Sequence, residues 1–428
     1  MAATRPSRLP GRHRASGGHA TYGEVIAVGE FRALWLGQSL SQLGDQLAQV
    51  ALAVLVYERT ESALLTAAVY ALTYLPPILG GPLLAGLADR YPRRRVMLVC
   101  DLLRAFFVAL MAVPGMPFAA LCVLVFCVVL LSAPFTAARA ALLPDILHGD
   151  RYVLGSALQN MTNQGVQMIG FAAGGAAIAL LGPYRALALD SATFLASALA
   201  LVAGVRRRRL PPPPEGGMPS MWATTRMGAR LVFGDPRLRV LVLFAWLCGF
   251  YIAPEGIAAP YAATFTDDEG LPVVTGLLMA AMPTGTVIGG FLFGRFVSPP
   301  GRLHSMGWMA MLTCAPLIVC GLGPPLWVVI VLWCVSGIGG AYQLAANAAF
   351  VQCVPPAGRA QAFGLVQSGL LAAQGIGILV AGALAQSLGP ASVIALVGVT
   401  GLAAACLLTV AWTGTRGGII ERVRAEQA

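Results

Sequence analysis

Long apolar stretches follow one another along almost the entire chain, separated by short segments rich in Arg, Gly and Pro. The stretches are continuous and do not alternate between apolar and polar residues, which predicts helices and excludes a membrane β-barrel. At about 20 residues per membrane crossing, the pattern predicts twelve membrane-spanning helices. These helices, called spans 1 to 12, are predicted to start near Phe31, Ser62, Val96, Pro117, Val153, Pro183, Leu238, Leu271, Leu303, Pro325, Ala360 and Ser392.

The composition supports the same interpretation. Of the 428 residues, 57% are hydrophobic and 11% are charged, and the mean hydropathy is +0.76. A typical soluble domain carries about 25% charged residues, so a soluble fold of this composition could not cover its surface with polar groups. We therefore expect an all-α membrane protein whose solvent is mostly lipid.

The residue types present exclude several kinds of chemistry. Every basic residue is Arg, and a chain without Lys has neither the lysine of a P-loop ATPase nor a Schiff-base lysine. The nine Cys form no Cys-x-x-Cys pair, and the four His fall in predicted tails and loops. We expect no metal site, no cofactor and no enzymatic activity.

Arginines collect on one side of the predicted membrane, which we call the arginine-rich side. They are Arg5 to Arg14, Arg90 to Arg95, Arg151, Arg206 to Arg239, Arg302, Arg359 and Arg416 to Arg424. The opposite side receives only Arg59 and Arg185, together with acidic residues 267–269. By the positive-inside rule, both termini are cytoplasmic. Short loops between spans do not form a nucleic-acid-binding surface, so the expected partners are lipid and small molecules.

The two halves of the chain repeat each other. Arg151, Gln159 and Gly174 match Arg359, Gln367 and Gly382 at a constant offset of 208 residues. Parallel six-helix halves are the design of a major class of secondary transporter. The predicted units are a tail (1–30), a first bundle (31–205), a basic and Pro-rich linker (206–237), a second bundle (238–412) and a second tail (413–428).

Residues 86–95, between spans 2 and 3, resemble the signature loop of the major facilitator superfamily. The matching positions are Gly86, Asp89, Arg90, Arg93 and Arg94, while Pro92 replaces the usual Gly. The resemblance implies that Asp89, Arg93 and Arg94 act as a cytoplasmic gate. The alternative is that these charges only keep the loop on the cytoplasmic side.

Two further stretches, residues 31–45 and 141–145, resemble a narrower efflux branch of that family, which includes macrolide exporters and the enterobactin exporter. The resemblance implies two pseudo-repeated six-helix bundles and bacterial export of drugs or natural products. Neighbouring antiporter branches carry a Gly-Pro pair in span 5, which this chain lacks.

Two carboxylates are predicted near mid-depth in the membrane, where a charge is costly unless it has a function or a partner. Asp45 lies about 21 Å along span 1 from Phe31, on one helical face with Gln38, Gln42 and Gln49. Glu255 lies in span 7 between Pro254 and Pro260, which are expected to loosen that helix. Both are predicted proton-coupling residues, and for Asp45 the alternative is a role in helix packing.

Other polar residues at membrane depth predict a substrate cavity. The candidates are Gln38, Gln42, Gln49, Asn160, Gln164, Gln167, Gln343, Asn347, Gln367 and Gln374. Asp101 and Arg104, three residues apart in span 3, are expected to form a local ion pair that reaches the membrane surface. Arg139 is a candidate gate residue or anion contact that could also pair with Asp145.

The sequence therefore predicts a secondary transporter in the plasma membrane, functional as a monomer. It would export a small apolar or amphipathic compound by alternating access, with inward proton flow as its energy source. An uptake symporter or uniporter of the same fold is the alternative. A membrane enzyme would require reactive groups that converge at one depth, whereas the deep polar groups here are mostly amides.

Overall fold

The computed structural model describes residues 21–84, 87–208, 221–355, 358–415 and 417, and for 81–83, 88–89, 221–225 and 360 it describes the backbone alone. Within these ranges all regular structure is helical. The predicted all-α fold class is confirmed.

The first half contains four unbroken spans and two broken ones. Spans 1, 3, 5 and 6 are the helices Gly29–Thr60, Arg93–Met111, Asp150–Leu181 and Pro183–Gly204. Span 2 consists of Ala63–Ala71 and Pro76–Leu84, and span 4 of Phe118–Leu130 and Ser132–Ile146. Two short helices, Tyr22–Ala27 and Leu87–Arg90, lie on the arginine-rich side.

The second half follows a linker helix, Met221–Gly234. Span 7 is divided into Pro236–Trp246, Cys248–Tyr251, Ala253–Gly256 and Ala258–Ala262. Spans 8, 11 and 12 are Leu271–Phe296, Arg359–Leu388 and Pro390–Thr415. Span 9 is Pro299–Val319 with a 3-10 turn at Cys320–Leu322, and span 10 consists of Leu326–Gly339 and Tyr342–Cys353.

Proline explains two of the three breaks in span 7, those at Ile252 and Ile257. Pro254 and Pro260 cannot donate backbone hydrogen bonds, and their rings clash with the preceding turn of a continuous helix. Span 7 therefore forms short helical pieces, which confirms the loosened helix expected from the sequence.

Ten segments of the described chain are long and apolar enough to cross a membrane. They include spans 2 and 4 to 12. Spans 1 and 3 are helices too, but they do not belong to these ten. Span 3 carries the buried charges Asp101 and Arg104, and span 1 carries the partly buried Asp45. Both spans pack against span 6 in the first half.

The two halves meet mainly through span 2 against span 11 and span 5 against span 8. Gly175 and Gly276 allow spans 5 and 8 to touch, since a Cβ added to Gly175 would lie 2.6 Å from the Pro272 carbonyl oxygen. A Cβ added to Gly382 of span 11 would likewise lie 3.1 Å from the Ala63 carbonyl oxygen of span 2. The halves are thus packed tightly on the opposite side of the molecule.

Candidate functional site

A cavity of about 410 Å³ lies among spans 7, 10 and 11, in the arginine-rich half of their length. Three predicted cavity residues, Gln343, Asn347 and Gln367, line it together with the rings of Phe350 and Phe363. Amide groups on an otherwise apolar wall suit an amphipathic ligand, because each amide offers both a donor and an acceptor.

Aromatic residues fix the position of Gln343. Its Nε2 donates a hydrogen bond of 2.5 Å to the Tyr251 hydroxyl. The Tyr251 ring packs edge-on against Tyr342, with centroids 6.5 Å apart, and the Tyr342 hydroxyl donates to the Phe244 carbonyl oxygen. The amide at the cavity wall is therefore held by a buried framework.

Glu255 joins the two halves. The Tyr70 hydroxyl of span 2 donates a 2.8 Å hydrogen bond to the Glu255 carboxylate of span 7, and both residues are buried. The contact lies toward the opposite side of the membrane, near the tight packing of spans 2 and 11. Glu255 thus touches the interface that must open if the halves move apart on that side.

A second cavity, of about 220 Å³, lies inside the first half and contains an ion pair. Arg104 Nη2 donates to both carboxylate oxygens of Asp45, at 3.1 and 3.2 Å. The guanidinium also lies over the Phe194 ring, 4.2 Å from its centroid. Gln42 and Gln49 line the same cavity, so the polar face of span 1 is turned toward the interior of its own bundle.

The expected local pair of Asp101 and Arg104 is wrong. Arg104 binds Asp45 of span 1, while Asp101 accepts a 2.7 Å hydrogen bond from the Ser197 hydroxyl of span 6. Asp101 is fully buried and Arg104 is 6% exposed. Both side chains point into the bundle and bind neighbouring spans, so neither reaches the membrane surface.

Asp190 of span 6 belongs to this cavity and was missed by the sequence analysis. It is 1% exposed, and the Thr193 hydroxyl donates to its Oδ1 at 3.2 Å. Gly44 leaves the space for it, since a Cβ there would lie 2.1 Å from that oxygen. The sequence did contain a signal for Asp190. It lies seven positions after Pro183, inside an apolar span, and an acidic residue at that depth needs a partner.

Other predicted cavity residues are placed elsewhere. Gln374 lies next to Gly375, which packs against Leu75 of span 2. Gln38 is buried and its Oε1 has no hydrogen-bond partner. Asn160, Gln164 and Gln167 of span 5 line neither of the two cavities.

On the arginine-rich side, the predicted gate arginines bind their own half. Arg93 Nη1 donates to Asp145 at 2.6 Å, and Arg94 donates to the carbonyl oxygens of Leu201 and Val202. Arg90 is exposed. Gly86 and the side chain of Asp89 lie outside the described residues, so the gate stays a prediction.

Arg139 does not pair with Asp145, whose carboxylate is held by Arg93. Its Nη1 is buried and has no hydrogen-bond partner among the described groups. A role in gating or anion contact stays a prediction.

Curated relatives are efflux proteins. The chain is 27% identical over 361 residues to the multidrug efflux pump Tap of Mycolicibacterium fortuitum. The aligned region covers 81% of this chain and 87% of the relative. It is 23% identical over 370 residues to macrolide efflux protein A of Streptococcus pyogenes, covering 84% and 90%.

Solved structures share the fold. A nucleoside transporter matches with a TM-score of 0.68 at 16% identity, covering 90% of this chain and 99% of that one. A bacterial homolog of the human lysosomal transporter Spinster matches with a TM-score of 0.69 at 17% identity, covering 92% and 97%.

The model of the Major Facilitator Superfamily matches residues 34–315 and 272–426, which together include nearly the whole chain. The helical fold and the relatives agree with this match. The chain is a multi-pass membrane transporter, not an enzyme, and it belongs to the Major Facilitator Superfamily.

Proposed function

We propose that the protein exports a small amphipathic compound across the plasma membrane by alternating access, with both termini in the cytoplasm. The observation that carries this proposal is the asymmetry of the molecule. The halves are packed tightly on the opposite side, while the amide-lined cavity lies toward the arginine-rich side. This arrangement is what a transporter open to the cytoplasm requires.

Alternating access requires the tight side to separate. The contacts that would break include the Tyr70–Glu255 hydrogen bond, the approach of Gly175 to Gly276, and the 3.1 Å hydrogen bond from the Ser62 hydroxyl to Gln386 Oε1. Each of them joins one half to the other. None of these three contacts is an ion pair, which suits an interface that opens and closes repeatedly.

The substrate class follows from the cavity wall. Phe350 and Phe363 supply apolar surface, and Gln343, Asn347 and Gln367 supply neutral polar groups. The efflux activities named for the two curated relatives, multidrug and macrolide, support an exported drug-like compound.

Proton-coupled antiport is the proposed energy source. Asp45 and Glu255 are the proposed coupling residues, and Asp190 joins them. The first-half cavity holds Asp45 and Asp190 against the single guanidinium of Arg104, so a bound proton would balance its charge. At Glu255, a change of protonation would act directly on a contact between the halves.

The proposal is tested with purified protein in liposomes and ethidium as the fluorescent probe. We expect ethidium to move against its gradient when a proton gradient is imposed, and to stop when an uncoupler is added. Protein-free liposomes are the control. Movement with the proton gradient would show symport, movement unaffected by the uncoupler would show uniport, and either result would contradict the proposed antiport.

A further inference from the structure

A groove of about 670 Å³ runs between the start of span 1 and the end of span 6 on the arginine-rich side. Its charged residues are Glu30, Arg32, Arg206 and Arg208. We propose that this groove binds the headgroup of an anionic phospholipid, with the lipid phosphate between the arginines.

The charges of the groove favour an anion. Arg206 Nε and Arg208 Nη2 bind the two carboxylate oxygens of Glu30 at 3.3 and 2.7 Å. Arg32 is exposed and makes no ion pair with a described residue. Three guanidinium groups therefore face one carboxylate, and the groove keeps a net positive charge.

The arginines also keep unused donors. The carboxylate of Glu30 holds Arg206 and Arg208 side by side, which orders two guanidinium groups before a ligand arrives. Arg208 Nη1 is buried and has no hydrogen-bond partner among the described groups. Phosphate oxygens are the acceptors that match such paired guanidinium donors best.

The apolar wall of the groove points to a lipid and not to a soluble anion. Ala33 and Leu36 of span 1 and Ala200 and Ala203 of span 6 line it. The apolar surface continues toward the membrane centre through exposed leucines one turn further along each span, Leu40 at 44% and Leu199 at 69% exposure. An acyl chain would follow this surface while the phosphate stays at the arginines.

The side of the membrane fits the same ligand. The arginine-rich side is predicted to be cytoplasmic, and basic pockets between spans on that side bind anionic headgroups in membrane proteins. A zwitterionic lipid carries its own cation next to the phosphate, so it would gain less from three arginines. The groove should therefore select by headgroup charge.

A bound lipid would join an existing network of contacts. Arg208 Nη2 also donates to the Asp145 backbone oxygen at 3.3 Å, and the Asp145 carboxylate binds Arg93. The groove is thus connected to the ends of spans 3 and 4, where the predicted gate arginine lies. The lipid proposal does not depend on the direction of transport or on its energy source.

Native mass spectrometry of the full-length protein tests the proposal. Purified protein is incubated with phosphatidylglycerol or phosphatidylcholine, and retained lipid is counted. We expect wild type to retain one phosphatidylglycerol several-fold more often than phosphatidylcholine. The double variant Arg206→Gln/Arg208→Gln should retain both lipids equally, and Arg32→Gln should lose part of the preference.

Arg207→Gln is the matched control, because it removes one charge from the same exposed segment and Arg207 does not line the groove. It should keep the wild-type preference. Equal retention of both lipids by wild type, or full preference in the double variant, would overturn the proposal. A loss in Arg207→Gln as large as in Arg32→Gln would also overturn it, since the effect would then be one of net charge.

Discussion

Tyr70 and Glu255 lie 185 positions apart in the chain, yet a buried 2.8 Å hydrogen bond joins their side chains across the two halves. The acceptor lies in a short helical piece of span 7 that Pro254 and Pro260 separate from its neighbours. The structure therefore places a carboxylate in an interrupted helix at the interface between the halves.

The variant Tyr70→Phe should weaken closure of the opposite side. It keeps the ring and removes the hydroxyl that donates to Glu255. Leaving a buried acceptor without a partner costs about 1–3 kcal/mol. We expect a larger distance between spin labels at positions 62 and 386 in a background without native Cys. Tyr91→Phe, an exposed tyrosine on the arginine-rich side, should leave that distance unchanged.

Leucine at Gly276 should prevent spans 5 and 8 from meeting. A Cβ there would lie 2.7 Å from the Phe171 carbonyl oxygen and from Gly175 Cα, so the helices must separate. Export should fall strongly, and the opposite side should become more accessible to a membrane-impermeant thiol reagent at position 62. Gly165→Leu is the control, because a Cβ on Gly165 meets nothing within 4 Å. Equal effects of both variants would contradict this role of Gly276.

The fold was largely predictable because lipid imposes a simple rule on the chain: each crossing needs an apolar helix of sufficient length. The division of span 7 was predictable as well, since Pro254 and Pro260 act within their own helix. The partner of Arg104 was not predictable from the sequence. Spacing within span 3 indicated Asp101. Asp45 is 59 positions away and comes within reach of Arg104 only because spans 1 and 3 both pack against span 6.

The neighbours of the polar face of span 1 were also not predictable from the sequence. Helical periodicity placed Gln42, Asp45 and Gln49 on one face, and the structure keeps them together in one cavity. Periodicity cannot say which neighbour that face meets. The structure turns it toward the interior of the first bundle, where Asp190 completes the cavity from span 6.

The ion pair of Asp45 and Arg104 allows stability and coupling to be measured separately. Asp45→Asn leaves the buried guanidinium of Arg104 without its carboxylate. Breaking a fully buried pair costs about 3–5 kcal/mol, and the cost here is smaller because the Asp45 side chain is 28% exposed. We expect a lower thermal unfolding temperature in detergent. The double variant Asp45→Asn/Arg104→Gln should recover much of that loss, because neither partner is then charged. Asp190→Asn keeps the ion pair and should unfold close to the wild-type temperature.

The same variants locate the coupling residue. If Asp45 takes part in coupling, the stable double variant should still lose uncoupler-sensitive ethidium export in liposomes. Glu255→Gln should at least impair that export. Full export by the double variant would remove Asp45 from the coupling mechanism, and full export by Asp190→Asn would remove Asp190.

The cavity in the second half should set substrate affinity. Asn347→Ala removes one of its neutral polar groups, and Phe350→Ala removes a ring that packs edge-on against Phe363 at 5.2 Å between centroids. We expect each to weaken ethidium binding several-fold, measured by fluorescence titration of the purified protein, with little effect on thermal stability for Asn347→Ala. Leu407→Ala, on a lipid-facing position that is 73% exposed, should bind as wild type does. Unchanged binding in both cavity variants would place the substrate elsewhere.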